Sequence, residues 1–297
     1  MINGHTIDIE DLSKFYGRVK GIENINLTIN RGEIFGFIGP NGAGKSTTIR
    51  ILMNLIFPSG GHAKIMGMDV IKQTREIKMV TGYIPADASA YSSMEVGEFL
   101  NYCGRFYKKS GIEGRIKDLS ELFELDLKRK VEDLSSGNRK KVSIIQSLIH
   151  SPDLLIMDEP TTGLDPLVKA LFFDLLRSEN TRGMTIFFSS HILSEVQLLC
   201  KRVAIIKEGK IIQLEDIESL RKKQLKKVLI EFSGKPDSGA FSIPGVVEIK
   251  TGAGNILTFL FSGEISTIID LLSGKMINNL IIEEPSLDEI FMHYYRI

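Results

Sequence analysis

Residues Gly39–Thr47 read GPNGAGKST, set between the apolar run EIFGFIG and the helix-type run KSTTIRILMNLI. This fits G-x-x-x-x-G-K-[ST] in the strand–turn–helix setting that gives the pattern its meaning. Glycines let successive backbone N–H groups turn inward around phosphate oxygens. Lys45 is positioned to reach β- and γ-phosphates, Ser46 to offer a hydroxyl to Mg²⁺, and the helix start adds positive potential. A glycine turn with a chance lysine is the bland alternative, and the strand before and helix after set it aside.

Working outward, short apolar strands alternate with helices. The runs DLLIMDEP, PLVKALFFDLLRS, MTIFFSSH, ILSEVQLLC and RVAIIKEG follow one another between Asp153 and Gly209. Near-continuous apolar strands between helices predict an α/β fold with a parallel sheet covered on both faces. Upstream, HTIDIE, ENINLTI and AKIMGMDV read as strands, and residues from about Met94 to Leu127 read as mostly helical. Past Leu220 the charged run RKKQLKK precedes VLIEF, VVEIK, NILTFLF, STIIDLLSG, NNLIIEE and SLDEIFMHYY. That order predicts a small α+β domain from about residue 225, an irregular extension being the alternative.

Composition removes several classes. Lysine plus arginine and aspartate plus glutamate are 37 each, so the net charge is zero and a general nucleic-acid binder is disfavoured. Cys103 and Cys200 lie far apart in no CxxC pair, which speaks for reduced thiols and against a disulfide framework or zinc site. The opening MINGHTIDIEDL has acids and no apolar h-region, so no secretory signal is expected. No apolar run approaches the ~18 residues of a membrane helix.

Two further stretches carry chemistry. DLLIMDEP ends in adjacent carboxylates, and side chains alternate along a strand, so Asp158 and Glu159 can hold different tasks. Asp158 suits the Mg²⁺ shell, and Glu159 suits a base that polarises an attacking water. His191 closes another apolar strand, and strand ends on one side of a parallel sheet are where ligands sit. A structurally satisfied histidine is its plain alternative. The stretch LSSGNRKKVSIIQSLIH, Leu134–His150, places Val142, Ile145, Leu148 and Ile149 at helical spacing. Arg139, Lys140 and Lys141 crowd its first turn, where the helix dipole disfavours cations. Such a start suits an anion, although the phosphate loop already lies far upstream.

Gly39–Thr47, Leu134–Asn138, Asp158–Glu159, Thr162–Asp165 (TGLD) and His191 stand in the order found in ATP-binding cassette (ABC) proteins, and the chain from about residue 4 to 220 resembles that family. The resemblance implies an ABC-type P-loop fold: a parallel sheet core, an N-terminal antiparallel β subdomain and an inserted helical subdomain at about 88–150. It places the ATP-binding domain at 1–224 and the accessory domain at 225–297. ATP is then held by Tyr16, stacking on adenine, and by Gly39, Pro40, Asn41, Gly42, Ala43, Gly44, Lys45, Ser46 and Thr47. Mg²⁺ falls to Ser46 and Asp158, and catalysis to Glu159 and His191.

LSSGN resembles the family signature LSGGQ, with Ser136 for the first glycine and Asn138 for the glutamine. Ser135, Ser136, Gly137 and Asn138 would then bind the γ-phosphate of ATP held by another subunit, which answers whose anion the helix start suits. Asp165 would bridge the subunits. One departure stands out: after GYIP the family usually has a glutamine, and this chain has Ala86 followed by Asp87.

The ending EEPSLDEIFMHYY resembles ATPase subunits of drug, bacteriocin and sodium exporters whose membrane part is a separate chain. This implies a transmembrane permease partner, a homodimer or a heterodimer with a second ATPase subunit, and the cytoplasmic face of the membrane as location. Nucleic acid is not among the expected partners. Tyr91, Phe99, Tyr102 and Phe106 would fill a helical-subdomain core or line a groove for a permease helix. The rival readings are a soluble cassette acting on nucleic acid or ribosomes and a regulatory ATP-binding module. The first usually carries paired cassettes or a coiled-coil insertion, and the intact Glu159 and His191 argue against the second.

Overall fold

Alternating apolar residues in His5–Tyr16 (β1) and Val19–Asn30 (β2) put Ile7, Ile9, Leu12, Ile22, Ile25, Leu27 and Ile29 on one buried face. The computed structural model describes residues 4–87, 93–222 and 225–283. Within them the chain forms two compact units, Met1–Leu214 and Glu215–Ile297.

The first unit continues with β3 (Ile34–Ile38), α1 (Lys45–Leu52), β4 (Gly60–Ile65), β5 (Met68–Asp69), α2 (Thr74–Val80) and β6 (Thr81–Ile84). Three helices follow, α3 (Val96–Gly104), α4 (Ile112–Leu122) and α5 (Ser136–Leu148). The chain then returns to alternation with β7 (Leu154–Asp158), α6 (Pro166–Thr181), β8 (Thr185–Ser190), α7 (Leu193–Leu199), β9 (Arg202–Lys207) and β10 (Lys210–Asp216). The strands β2-β1-β4-β5 form an antiparallel sheet, and β10-β9-β3-β8-β7-β6 form the main sheet. In the main sheet β3, β6, β7, β8 and β9 pair in parallel.

Every residue of β3, β7 and β8 is buried, as their unbroken apolar runs require. Both sheets and α1 share one core, in which Ile7, Ile25 and Ile65 meet Phe35, Phe37, Ile49, Leu52, Ile156 and Phe187. Register fixes the edge that matters. Asp158 pairs with Ser189 and Ile38 with Ser190, so the segments after β3, β7 and β8 all emerge on one side.

The second unit comprises α8 (Ile217–Lys222), β11 (Leu225–Phe232), β12 (Val246–Thr251), β13 (Ile256–Ser262), α9 (Ile265–Leu272) and β14 (Ile277–Glu283). Its antiparallel sheet runs β12-β13-β11-β14. Ile268 and Leu272 of α9 pack with Val228, Ile230, Phe241, Leu257, Phe259 and Phe261 in a core of its own.

The structure differs from the sequence reading in places. AKIMGMDV is a hairpin, because Met66 and Gly67 take left-handed backbone angles that fold β4 onto β5. α2 and β10 were not anticipated: α2 buries only Ile77, and β10 alternates between half-buried and exposed, so neither prints a strong apolar period. Tyr91 and the ending SLDEIFMHYY lie outside the described residues. Among the described residues no helix is long and apolar enough to cross a membrane.

Candidate nucleotide site

The phosphate loop links β3 to α1, and its shape depends on Gly44, which caps α1 with φ 111°. A Cβ there would meet Ile22 Cγ2 at 2.6 Å and Gly21 O at 2.9 Å, so an L side chain is excluded by both backbone angle and space. Lys45, nearly buried, donates to Gly39 O at 2.7 Å and Pro40 O at 3.1 Å and meets Glu159 Oε1 at 3.2 Å. Its three donors are thus engaged within the loop and the neighbouring strand end.

Glu159 is the hinge of the cluster. It adopts φ 47°, uncommon for a residue with a side chain, and its N–H donates to Ser189 O at 3.1 Å. Strained backbone of this kind gathers at functional sites. The second carboxylate oxygen, Oε2, lies 3.1 Å from His191 Nδ1. Asp158 turns the opposite way, is buried, and accepts from Ser189 Oγ at 2.9 Å. Adjacent carboxylates therefore occupy separate surroundings, Asp158 closing β7 and Glu159 turning off it in left-handed backbone. On β6, burial and the Asp158 charge push the Tyr83 hydroxyl up to about 12.

The other positions singled out in the sequence fall into place around this centre. Tyr16 ends β1 as an exposed ring with Lys14 Nζ 5.3 Å from its centroid. Ser135 caps α5, its Oγ accepting from Asn138 N at 3.3 Å. Ser135 and Ser136 are exposed, Gly137 and Asn138 half-buried. Among the described residues no hydrogen bond or ion pair joins Ser135–Asn138 to Gly39–Thr47. Gly137 instead approaches Gly163 of TGLD so closely that a Cβ would lie 3.1 Å from its carbonyl. Asp165 caps α6, accepting from Val168 N at 3.0 Å. Phe99 belongs to the helical core, whereas Tyr102 and Phe106 are exposed and stack edge to face.

The basic first turn of α5 is a correction. Only Arg139 is exposed. Lys141 donates to Phe123 O at 3.0 Å, and buried Lys140 donates to Pro85 O at 3.0 Å and Ala86 O at 3.1 Å. These lysines serve backbone carbonyls, which share with phosphate only the need for a donor. Sequence reasoning also missed Glu195. This buried carboxylate accepts from Thr161 Oγ1 at 2.7 Å and Ser190 Oγ at 3.2 Å and pairs with Lys169 at 3.0 Å, tying together the ends of β7 and β8. Its signal was a lone acid in the apolar run ILSEVQLL.

A glycine-shaped phosphate loop before a helix, with carboxylates and a histidine on neighbouring strand ends, defines a P-loop nucleotide-binding protein of the ATPase class. The ABC transporter family profile matches residues 22–162. The ABC transporter ATP-binding protein NatA of Bacillus subtilis is 40% identical over 207 residues, covering 68% of this chain and 84% of that protein. The Nod factor export ATP-binding protein I of Cupriavidus pinatubonensis is 31% identical over 291 residues, covering 96% of this chain and 89% of that protein. The solved ATP-binding subunit of an ABC transporter superposes with TM-score 0.69 at 28% identity, covering 73% of this chain and 92% of that one. The chain belongs to the ATP-binding proteins of ABC transporters.

Proposed function

We propose that this chain is the ATP-hydrolysing subunit of a two-component exporter, acting at the cytoplasmic face of the membrane through a separate permease. The observation that carries the chemistry is Glu159 held between Lys45 and His191. In this reading Lys45 leaves Glu159 for the β- and γ-phosphates when ATP enters the loop, an exchange of one anionic partner for another. Glu159 is then free to take a proton from the attacking water while His191 keeps its orientation. Water adds to the γ-phosphorus as the bond to the β–γ bridging oxygen breaks, giving ADP and phosphate.

Ser46 and Asp158 supply oxygen donors only, the chemistry of Mg²⁺, which takes one or two protein oxygens together with substrate phosphates. Mg²⁺ when bound neutralises charge on the phosphates. Tyr16, exposed at the end of β1, is assigned to adenine. The domain reading is 1–224 for ATP binding, with the helical part at about 88–150, and 225–297 for an accessory domain.

Export is supported by relatives such as the Nod factor export protein and the bacitracin transport ATP-binding protein BcrA of Bacillus licheniformis. The latter is 36% identical over 76% of this chain and 75% of its own length. Exposed Tyr102 and Phe106 are assigned to the permease contact. A two-chain site is supported by the open start of α5, where Ser135–Asn138 present donors that their own phosphate loop does not use. Asp165, two residues beyond the Gly163 that lies beside that start, is assigned to the subunit junction.

Mixing mutants tests this reading. Lys45→Ala and Ser136→Arg damage opposite halves of one composite site, so each alone gives inactive homodimers. Random pairing makes about half of the dimers mixed, each with one intact site, so roughly a quarter of wild-type turnover should return. No recovery, together with no ATP-dependent disulfide between cysteines placed in the phosphate loop of one chain and at position 137 of the other, overturns the two-chain site.

A further inference from the structure

The segment after β6 runs beside the catalytic strand end, since Ile84 pairs with Met157, the residue before Asp158. Its Ala86 carries no polar side chain, so the main chain is the only part of Pro85–Ala86 that another residue can hold by hydrogen bonds. Lys140 holds it. Its stem is buried in α5, and its ammonium donates to both successive carbonyls, Pro85 O and Ala86 O. Among the described residues no carboxylate lies at ion-pair distance from this ammonium, so it is not half of a simple salt bridge.

A second contact braces the same pair of elements. Gly82 in β6 comes so close to α5 that a Cβ would lie 2.3 Å from Ser147 O. α5 therefore packs closely on β6 at Ser147 and is hydrogen-bonded to the segment beyond β6 at Lys140. The helix that opens with Ser135–Asn138 and the segment that flanks Asp158–Glu159 are in direct contact.

We infer that Lys140 is a positioning residue for hydrolysis: its paired grip on Pro85 and Ala86 sets the segment through Asp87 against the catalytic carboxylates and makes that segment follow α5. A second observation agrees. Burial drives the Lys140 ammonium below the ordinary lysine value, while the charges of Asp158, Asp87 and Glu159 oppose that shift, so the group lies within the field of the site's carboxylates. The lysine ends on main-chain carbonyls. It acts by holding backbone, and misplacement of about 1 Å beside reacting groups costs up to ~100-fold in rate.

This inference rests on the ATPase reading above, and the test keeps the two apart. In the full chain, Lys140→Met keeps the stem and removes the donor. It should lower kcat by roughly 10–100-fold, leave the Kd for a non-hydrolysed ATP analogue within about twofold, and speed amide hydrogen exchange at Ala86 and Asp87. Lys140→Gln, which keeps N–H donors, should recover most of the lost turnover. Unchanged kcat in Lys140→Met, or equal loss in the methionine and glutamine variants, overturns the positioning role. Should the methionine variant not fold, Lys140→Leu takes its place with the same readouts, and turnover near wild type with ordinary exchange at Ala86 there overturns the positioning role. Glu159→Gln is the control, because full turnover there overturns the ATPase site itself and not the role of Lys140.

Discussion

Basic groups are treated in opposite ways around the strand ends and along α5. At the strand ends each meets a carboxylate: Lys45 and His191 share Glu159, and Lys169 meets Glu195. Along α5 they do not. Lys140 ends on two carbonyls, and His150, just past the helix, is a buried ring stacked on Tyr107. A lysine that must hand itself to a phosphate profits from a charged partner it can exchange. A lysine that must hold backbone profits from neutral acceptors that no incoming anion replaces. The difference separates a site that moves charge from a brace that keeps shape.

The largest expected effect tests the first region. Glu159→Gln should lower hydrolysis by roughly 10²–10⁴-fold while ATP binding stays equal or tightens, because the competitor for Lys45 loses its charge. Steady-state phosphate release and calorimetric titration measure the two halves. Lys45→Ala removes the proposed phosphate contact itself. Charge-assisted hydrogen bonds contribute about 1.5–3 kcal/mol, so the Kd for ATP should rise roughly 10–150-fold. Unchanged affinity would erase the proposed exchange.

His150 tests the second region through pH. The ring is buried and stacked on Tyr107, and burial, aided by the nearby Lys109 charge, pushes its pKa from 6.5 down to about 4. The unfolded chain therefore takes up this proton before the folded one does. The group costs no stability above the unfolded value, and folding weakens as pH falls from 6.5 towards about 4. The cost accumulates to roughly 3 kcal/mol. His150→Phe keeps the stack and should flatten that part of the stability–pH curve measured by urea unfolding. An unaltered curve would mean that the ring is protonated in the folded state.

Smaller effects refine the comparison. Glu195→Gln removes the charge facing Lys169 but keeps an acceptor for Thr161 or Ser190, so it should cost about 1–2 kcal/mol, read as a lowered Tm. Ala86→Gln comes last. Ala86 is exposed and its carbonyl remains available to Lys140. Basal turnover should stay within roughly twofold, in line with the ±0.5 kcal/mol of ordinary surface changes. Abolished turnover in a folded variant would show a steric demand at this position.

Much of the site was legible beforehand because its chemistry is local in the chain. A phosphate loop needs glycines and a lysine at fixed spacing, and paired carboxylates need only a strand end, so Gly39–Thr47 and Asp158–Glu159 announce themselves. The alternation of fully apolar strands with helices likewise foretold the parallel sheet. What escaped depends on distant partners. Met66 and Gly67 turned an expected strand into a hairpin, because a pair of left-handed residues outweighs an apolar pattern spread over a few positions.

The lysines of α5 show the limit most clearly. Their sequence suggests cations waiting for an anion, yet Lys140 and Lys141 are already spent on carbonyls contributed by segments up to 55 residues away. Glu195, not singled out in the sequence, is the buried tie between β7 and β8. Residue order alone was enough to read the glycine-rich loop with its lysine, the strands that carry the acids and the family to which they belong. Which donors are free and which are committed emerges on folding, because a hydrogen bond is satisfied in space and most of its partners are far apart along the chain.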